Sequence, residues 1–312
     1  MSRLVTLFGG GGFLGRYVAQ ELLKTGARVR IAQRDPSQAL FLKPLGGLGQ
    51  TQFVPASITK PDTIALAVAG ADAVVNLVGI LKGDFDTIQR KGAANVASAA
   101  KAAGVDSLVH VSAIGADPES ASAYGRSKGE GEAAVREAFA GATIVRPSIL
   151  FGQEDDFLNR FAAMQALPFV PVLRGAVKFQ PVWVADVAKA IAAAALDPAV
   201  YGGKTYEFGG PEVVTMAELN AWLAKATGHN PTYVPVPDAI GAVLATVAGM
   251  LPGAPITRDQ WLMLQSDNVV APGMKGLEAF GIKPTPMEAV ALSWLVSYRS
   301  HGRFAQQTKP AA

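Results

Sequence analysis

Apolar residues along the chain fall into two patterns: short consecutive runs and longer stretches with helical spacing. The short runs predict buried strands at residues 4–8, 27–32, 52–55, 73–79, 107–112 and 142–146. Stretches of roughly 10 to 15 residues with helical spacing separate several of these runs. Strands and helices that alternate in this way predict an α/β fold with a parallel, doubly wound sheet and right-handed crossovers.

The first apolar strand runs directly into a glycine turn, and residues 16–23 beyond the turn have helical spacing. In such an arrangement the backbone N–H groups at the start of the helix face a pyrophosphate. The turn therefore predicts a dinucleotide site. Its glycines fit the spacing Gly10-x-Gly12-x-x-Gly15 and also the wider spacing Gly9-x-x-Gly12-x-x-Gly15, with Phe13 and Leu14 as further binding residues.

The end of the second strand bears on which dinucleotide binds. Roughly 20 residues past the glycines, an acidic side chain would bind the ribose hydroxyl of NAD, but Gln33 and Arg34 stand here. A carboxylate would repel a 2′-phosphate, whereas the Arg34 guanidinium would pair with it, and Arg16 is a second candidate cation. The sequence therefore favours NADPH over NADH. The alternative is that Arg34 is only a solvated charge at a strand end.

Three further residues could carry chemistry where later strands end. Tyr124 and Lys128 are spaced to share one helix face, and Ser112 lies upstream at the end of the fifth strand. We expect the Lys128 ammonium to hold the ribose and to lower the pKa of the Tyr124 phenol. The phenol could then exchange a proton with a substrate oxygen while hydride moves to or from nicotinamide. We expect the cofactor to lie above the end of the fourth strand, at Leu77, Val78 and Gly79.

Composition excludes several other classes of protein. Half of the residues are apolar and 17% are charged, which is typical of a globular chain. The net charge is only +3 and no run of Lys or Arg stands behind it, so nucleic acid is not an expected partner. There is no cysteine, and the three histidines are far apart, so no metal site is expected. No apolar run approaches the roughly 20 residues that span a bilayer.

The periodicity loosens after the sixth strand and suggests a two-part organisation. We predict an NADP(H)-binding domain over 1–208, with 148–178 contributing to the cleft and lobe, a smaller, mostly helical lobe over 209–300, and a mobile tail over 301–312. Residues 179–184 and 204–208 are expected to return to the sheet. Two helix starts are predicted from capping boxes, Thr215-x-x-Glu218 and Thr285-x-x-Glu288.

One predicted helix of the lobe, 238–251, is apolar on nearly every side. It is too short to cross a bilayer, so it must be buried in protein or lie at an interface such as a membrane surface. The sequence leaves both alternatives open. Its apolar positions at helical spacing are Ile240, Val243, Leu244, Val247, Ala248 and Leu251.

Together these motifs resemble the short-chain dehydrogenase/reductase superfamily, of the extended or atypical kind, over about residues 1 to 210. The runs 146–152 and 182–188 look like later signatures of that group. The resemblance implies that Pro147 and Ile149 also contact the cofactor.

A narrower resemblance is to the dehydrogenase-like accessory subunits of respiratory complex I. It is carried by Gly12–Val18, Asn76–Gly79 and the run Pro147–Phe161. This resemblance implies a tightly held NADPH without established turnover, other complex I subunits as partners, and a peripheral position on the cytoplasmic or matrix face of an energy-transducing inner membrane. By position, Gly9, Gly12 and Gly15 would hold the pyrophosphate, Arg34 the 2′-phosphate, and Tyr124 and Lys128 the ribose.

The sequence departs from that family after the third strand. Ala56-Ser57-Ile58 stands where an acidic residue usually lies near the adenine, which leaves the adenine contact open. Three functions remain: a non-catalytic accessory subunit with a structural NADPH, a free NADP(H)-dependent reductase or epimerase using Ser112, Tyr124 and Lys128, and a soluble redox-sensing module. The family-specific run Pro147–Phe161 favours the first function. The presence of all three residues Ser112, Tyr124 and Lys128 favours the second.

Overall fold

A parallel sheet of seven strands is the centre of the computed structural model, which describes residues 2–247, 256–300 and 302. In chain order the strands are β1 (Leu4–Phe8), β2 (Arg28–Gln33), β3 (Thr51–Pro55), β4 (Ala73–Asn76), β5 (Ser107–Val111), β6 (Thr143–Pro147), β7 (Leu150–Phe151), β8 (Phe169–Leu173), β9 (Lys178–Phe179), β10 (Val182–Trp183), β11 (Thr205–Phe208), β12 (Val214–Thr215) and β13 (Thr232–Val236). The central sheet has the order β11-β6-β5-β4-β1-β2-β3, with every neighbouring pair parallel. This confirms the predicted doubly wound sheet.

Helices pack against the sheet in two groups. α1 contacts α6, whereas α2, α3 and α4 contact one another in succession. The second group packs on the face that presents Phe8, Val74, Leu108 and Ile144, because alternate residues of a strand point to opposite faces. The α-helices are α1 (Phe13–Lys24), α2 (Pro61–Val68), α3 (Gly92–Ala102), α4 (Ala123–Ala138), α5 (Phe157–Met164), α6 (Val184–Leu196), α7 (Pro198–Tyr201), α8 (Met216–Thr227), α9 (Asp238–Val247), α10 (Arg258–Met263) and α11 (Met287–Leu295).

The chain divides into two compact units. The first comprises Met1–Ser148, Val184–Gly209 and Val270–Pro284, and it contains the seven-stranded sheet. The second comprises Ile149–Trp183, Gly210–Val269 and Thr285–Ala312, and its core is built by α5, α8 and α11. Residues 270–284, which the predicted boundary at residue 208 assigned to the lobe, therefore belong to the first unit.

One predicted strand and one predicted helix start differ from the structure. Residues 179–184 do not join the central sheet, because β9 pairs with β12 and β10 with β7. Pro181 lies between β9 and β10 and has no N–H group for a continuous ladder. The helix that was predicted to follow Thr285 begins one residue later, since α11 starts at Met287 with Pro286 at its N-cap.

The other helix starts follow the expected capping chemistry. The box at Thr215 and Glu218 is confirmed, and the sequence analysis missed a similar box at Thr257 and Gln260. The predicted helix from residue 85 to 103 is present, but its first part, Asp86–Lys91, is π-helical before α3 begins. That irregular turn lies beside the candidate site.

Helix α9 exposes most of its large apolar side chains. Ile240, Val243, Leu244 and Val247 are between 45% and 67% exposed, whereas the small Gly241 and Ala245 are buried. The helix therefore packs inward through small residues, which contradicts burial of the large ones in a core. Ala248 and Leu251 of the predicted helix, and the predicted tail apart from Gly302, lie outside the described residues. Within the described ranges, no helix has the length and apolar character needed to cross a bilayer.

Candidate functional site

The glycine turn has the geometry that the spacing predicted. Gly9 has a φ of +79°, which favours glycine, and its carbonyl oxygen accepts a hydrogen bond of 3.0 Å from the Gly12 N–H. A Cβ atom on Gly15 would lie 2.4 Å from the Gly9 oxygen and 2.6 Å from the Gly10 oxygen. Helix α1 can therefore approach β1 closely only because Gly15 has no side chain.

The side chain of Gln33 reaches across to the glycine turn. Its Oε1 atom accepts a hydrogen bond of 3.0 Å from the Gly11 N–H, and its Nε2 donates to the Asp35 carbonyl oxygen at 2.7 Å. This amide therefore ties the end of β2 to the turn. From the sequence, Gln33 was identified only as a residue that stands near the position where an acidic side chain would bind the ribose of NAD. Its place at the end of the strand next to β1, from which an amide side chain can reach the N–H groups of the turn, could have identified it.

Arg34 is exposed at the end of β2, and its side chain has no hydrogen bond or ion pair among the described residues. The next residue, Asp35, is acidic, but its carboxylate is occupied. It accepts hydrogen bonds from the N–H and hydroxyl of Ser37 and from the amide of Gln38, and these bonds, chiefly from Ser37, lower the pKa of Asp35. The cation at this strand end is therefore available to an anion, whereas the carboxylate is held in a helix cap.

Two aromatic contacts order the first turns of α1. The Arg16 guanidinium lies 4.9 Å from the centre of the Phe41 ring, and the Phe13 ring meets Tyr17 edge-on at 6.1 Å. The contact with Phe41 stabilises Arg16 through a cation–π interaction. Arg16 is thus held at the start of the helix that follows the glycine turn.

The backbone beyond β4 lies beside the glycine turn. The Leu77 N–H donates to the Phe8 carbonyl oxygen at 3.0 Å, and a Cβ on Gly9 would lie 3.3 Å from a methyl group of Val78. A Cβ on Gly79 would lie 3.2 Å from the Lys128 ammonium nitrogen. The structure thus brings Gly9, Val78 and Gly79 together, and it brings Gly79 to Lys128.

A buried pair of polar side chains supports this loop from below. Asn76 Oδ1 accepts a hydrogen bond from the Val78 N–H, so its Nδ2 donates to His110 Nδ1 at 3.2 Å. Burial, together with the positive charges of Lys128 and Arg136, lowers the pKa of His110 to about 3. The imidazole is therefore neutral at physiological pH.

Tyr124 and Lys128 lie near each other on α4, but their ionisation differs from the expectation. Lys128 is 4% exposed, its Nζ donates to the Val111 carbonyl oxygen at 3.2 Å, and burial lowers its pKa to about 8. Burial also raises the pKa of Tyr124 to about 12. The predicted lowering of the phenol pKa by Lys128 is therefore wrong. Desolvation of the phenol dominates, and the Lys128 nitrogen lies 5.9 Å from the centre of the Tyr124 ring.

The remaining predicted residues differ in their placement. Ser112 is 4% exposed, and its hydroxyl has no hydrogen-bond partner among the described residues. The Pro147 carbonyl oxygen accepts a hydrogen bond of 3.1 Å from the Ile114 N–H in the first unit. Ile149 belongs to the second unit, where its N–H donates to the Asn268 side chain at 3.2 Å.

These features fit a nicotinamide dinucleotide. The start of a helix directly after the glycine turn suits a pyrophosphate, and the Arg34 guanidinium, which has no partner among the described residues, suits a 2′-phosphate. A buried hydroxyl without a partner is costly unless a ligand satisfies it. Since Tyr124 stays protonated at neutral pH, its phenol can donate a hydrogen bond but is a poor base. Among the residues described, no group of side chains could hold a metal ion.

Comparison with known proteins supports the same ligand class. Residues 9–198 match a protein family described as NAD(P)H-binding. The rat mitochondrial protein named NADH dehydrogenase (ubiquinone) 1 alpha subcomplex subunit 9 is 35% identical over 320 aligned positions, which cover 99% of this chain and 84% of that protein. The ceramide reductase of Caulobacter vibrioides is 30% identical over 241 positions, which cover 75% of this chain and 74% of the reductase.

A solved structure shares the fold. An NADPH-dependent quinone oxidoreductase from Escherichia coli, solved with NADPH, matches with a TM-score of 0.77 over 93% of this chain and 99% of its own. The two sequences are 23% identical, so this likeness concerns the fold alone.

Proposed function

Because the chain belongs to the NAD(P)H-binding family and to the family of the complex I alpha subcomplex subunit 9, we propose that it is an accessory subunit of respiratory complex I that binds NADPH. The observation that carries the proposal is the 35% identity to the rat subunit over 99% of this chain. The site geometry is compatible, because the glycine turn and Arg34 form the parts of a dinucleotide site. In this function the cofactor stabilises the fold rather than reacting.

The preference for NADPH over NADH rests on the end of β2. Arg34 offers a guanidinium to a 2′-phosphate, and the neighbouring Asp35 carboxylate is committed to Ser37 and Gln38. A charged pair between guanidinium and phosphate is among the stronger hydrogen-bonded contacts in proteins. When bound, NADPH would be held by Gly9, Gly12, Gly15 and Arg34 at its phosphates and by Lys128 at its nicotinamide ribose.

The ionisation of Tyr124 supports a non-catalytic role. A phenol whose pKa is about 12 is a poor proton-transfer group at neutral pH, because catalytic efficiency is highest when the pKa is near the working pH. Tyr124 and Lys128 also suit ribose binding, so the retained motif is compatible with a subunit that does no chemistry.

The alternative is a free NADP(H)-dependent reductase or epimerase. It is favoured by the buried Ser112 hydroxyl without a partner, which suits a substrate oxygen, and by the similarity to a protein named ceramide reductase. In such an enzyme Ser112 would orient the substrate and Tyr124 would supply the proton, with nicotinamide supplying the hydride. The shorter coverage, 75% of this chain, makes this alternative the weaker one.

Helix α9 is the proposed contact with the membrane surface. Four large apolar side chains are exposed on ten residues, and Asp238, the acidic residue of the helix, pairs with Arg174. A helix with these properties can lie in the headgroup region of a bilayer. We therefore propose a peripheral position for the subunit, on the cytoplasmic or matrix face of the energy-transducing inner membrane, beside the other complex I subunits.

Fractionation of detergent-solubilised membranes tests the subunit proposal. The chain should migrate with a large complex that oxidises NADH, and it should do so at a constant ratio to that activity across the gradient. If it migrates only as a small species under conditions that keep the complex intact, the proposal is wrong.

The substitution Tyr124→Phe separates the two functions. An accessory subunit that carries this substitution should keep complex I activity and still bind NADPH, with a loss of affinity of no more than about tenfold, because one hydrogen bond to the ribose is removed while the ring remains. A large loss of reductase or respiratory activity with NADPH still bound would instead indicate that the phenol does chemistry.

A further inference from the structure

Gln89 is a buried residue near the candidate site to which the sequence gave no role. It lies in the π-helical turn Asp86–Lys91 and is 2% exposed. Its Nε2 donates to the Ser127 hydroxyl at 2.9 Å, and that hydroxyl donates its own proton to the Tyr124 carbonyl oxygen at 2.8 Å. Because the serine has one proton to give, it must accept from the amide NH₂ group. This network fixes the orientation of the Gln89 amide.

The amide oxygen of Gln89 therefore points away from Ser127, and it has no hydrogen-bond partner among the described residues. A Cβ atom on Gly79 would lie 3.6 Å from this oxygen and 3.2 Å from the Lys128 ammonium nitrogen. Both atoms thus lie on the side of Gly79 to which a side chain would point, beside the backbone that follows β4. Lys128 has three N–H donors, and the described part of the chain engages one of them, at Val111.

We propose that Gln89 is a further cofactor-binding residue, whose amide oxygen accepts a hydrogen bond from a ribose hydroxyl of the nicotinamide nucleotide. A hydroxyl that reaches both atoms suits them, because it can accept from the ammonium and donate to the amide oxygen at once. Phosphate and carbonyl oxygens only accept, so they would leave Gln89 unsatisfied. The proposal rests on the proposed binding of NADPH. It makes the π-helical turn a part of the chain that contacts the nicotinamide half of the cofactor. Such turns often occur at functional sites.

The test compares two ligands on the full-length protein. Gln89→Met keeps the length of the side chain and removes its strong acceptor. It should weaken binding of NADPH by about five- to tenfold, the usual effect of one hydrogen bond. Binding of adenosine 2′,5′-bisphosphate, which lacks the nicotinamide ribose, should stay within about twofold by the same titration calorimetry. Gln165→Met is the matched control, because Gln165 is a buried amide of the second unit, and NADPH affinity should not change.

Each other outcome overturns the assignment. Equal weakening of both ligands by Gln89→Met would mean that Gln89 only supports the structure. Unchanged NADPH affinity would mean that no ribose hydroxyl donates to the amide oxygen of Gln89. If the wild-type protein binds neither ligand, the proposed function fails, and this assignment fails with it. If the Met variant does not fold, the same comparison is made with Gln89→Asn, whose side chain is one methylene shorter and therefore holds the amide oxygen farther from the ribose.

Discussion

Single residues of the site were predictable where spacing alone decides which side chains meet. Tyr124 and Lys128 lie near each other because positions four apart share a helix face, and this was clear from the sequence. Their ionisation was not predictable, because it depends on burial by residues far along the chain. Gln89 was missed for a similar reason, since its partner Ser127 lies 38 positions away.

The buried ammonium of Lys128 should make stability depend on pH. Burial lowers its pKa from 10.5 to about 8, so between these values the unfolded chain holds a proton that the folded chain lacks. The free energy of unfolding should therefore rise with pH in this window, by up to about 1.4 kcal/mol per pH unit, and Lys128→Met should remove that contribution. Urea unfolding at several pH values between 8 and 10 measures the difference between the two proteins.

The upper limit of pH 10 avoids a second titration. Burial raises the pKa of Tyr124 from 10.0 to about 12, so its contribution to stability is lost as the pH rises through that interval. Parallel curves for wild type and Lys128→Met between pH 8 and 10 would contradict the buried, shifted lysine.

Arg34 should set the preference for the phosphorylated cofactor. Arg34→Glu replaces an attraction by a repulsion, so NADPH affinity should fall at least about tenfold while NADH affinity changes by less than about threefold. Fluorescence titration of the bound nicotinamide measures both. Arg28→Glu is the control, because it changes the net charge equally at the exposed start of the same strand. Equal losses of NADPH affinity in the two variants would indicate a long-range charge effect instead.

At the scale of elements, the pattern of apolar runs predicted the central sheet well. β1, β4 and β5 are buried at every position, which is why their sequences are mostly apolar without a period-two alternation. Prediction failed for the two-residue strands β7, β9, β10 and β12, which are too short to carry a period. The π-helical turn at Asp86–Lys91 was not predicted either, because one extra residue in a single turn does not change the spacing of so few apolar residues detectably.

The contact between β1 and α1 should depend on Gly15. A Cβ atom there would collide with the Gly9 and Gly10 carbonyl oxygens, so Gly15→Ala should lower the free energy of unfolding by about 1–3 kcal/mol and weaken NADPH binding. Denaturant unfolding and ligand titration measure the two effects.

Gly141→Ala provides the comparison for that variant. A Cβ on Gly141 would meet only the Phe139 ring, at an ordinary 3.5 Å, so stability should change by less than about 0.5 kcal/mol. If the two alanine variants were equally stable, close approach of the helix to the turn would not be what Gly15 provides.

At the scale of the whole molecule, the sequence indicated two parts. It did not indicate that each part is built from three separate segments of the chain. The chain leaves the first unit after Ser148, returns at Val184, leaves after Gly209 and returns again for Val270–Pro284. Local periodicity carries no information about which unit a segment joins, because that depends on contacts between distant parts of the chain. The last return is an example: the Glu207 N–H donates to the Lys275 carbonyl oxygen at 3.0 Å.

Bound NADPH should stabilise the first unit. A ligand that binds only the folded state adds about 2.7 kcal/mol at a concentration of 100 times its Kd. Calorimetry of cofactor-stripped protein should therefore show the unfolding transition of this unit rising by roughly 5–10 °C when NADPH is restored at that excess. NADH at the same concentration should have a smaller effect. A transition that does not move with NADPH would contradict a structural cofactor.

The cap formed by Asp35 has an evolutionary consequence. The Asp35 carboxylate, which would repel the 2′-phosphate of a coenzyme, is next to Arg34 in the chain. Hydrogen bonds from Ser37 and Gln38 hold it in the helix cap. Substitutions at those two positions, neither of which has been assigned a contact with the nucleotide, would remove its side-chain partners and leave it the Ser37 backbone N–H. Such substitutions would let a carboxylate compete with the coenzyme phosphate for Arg34, so the coenzyme preference of a descendant lineage could weaken while Arg34 itself is retained.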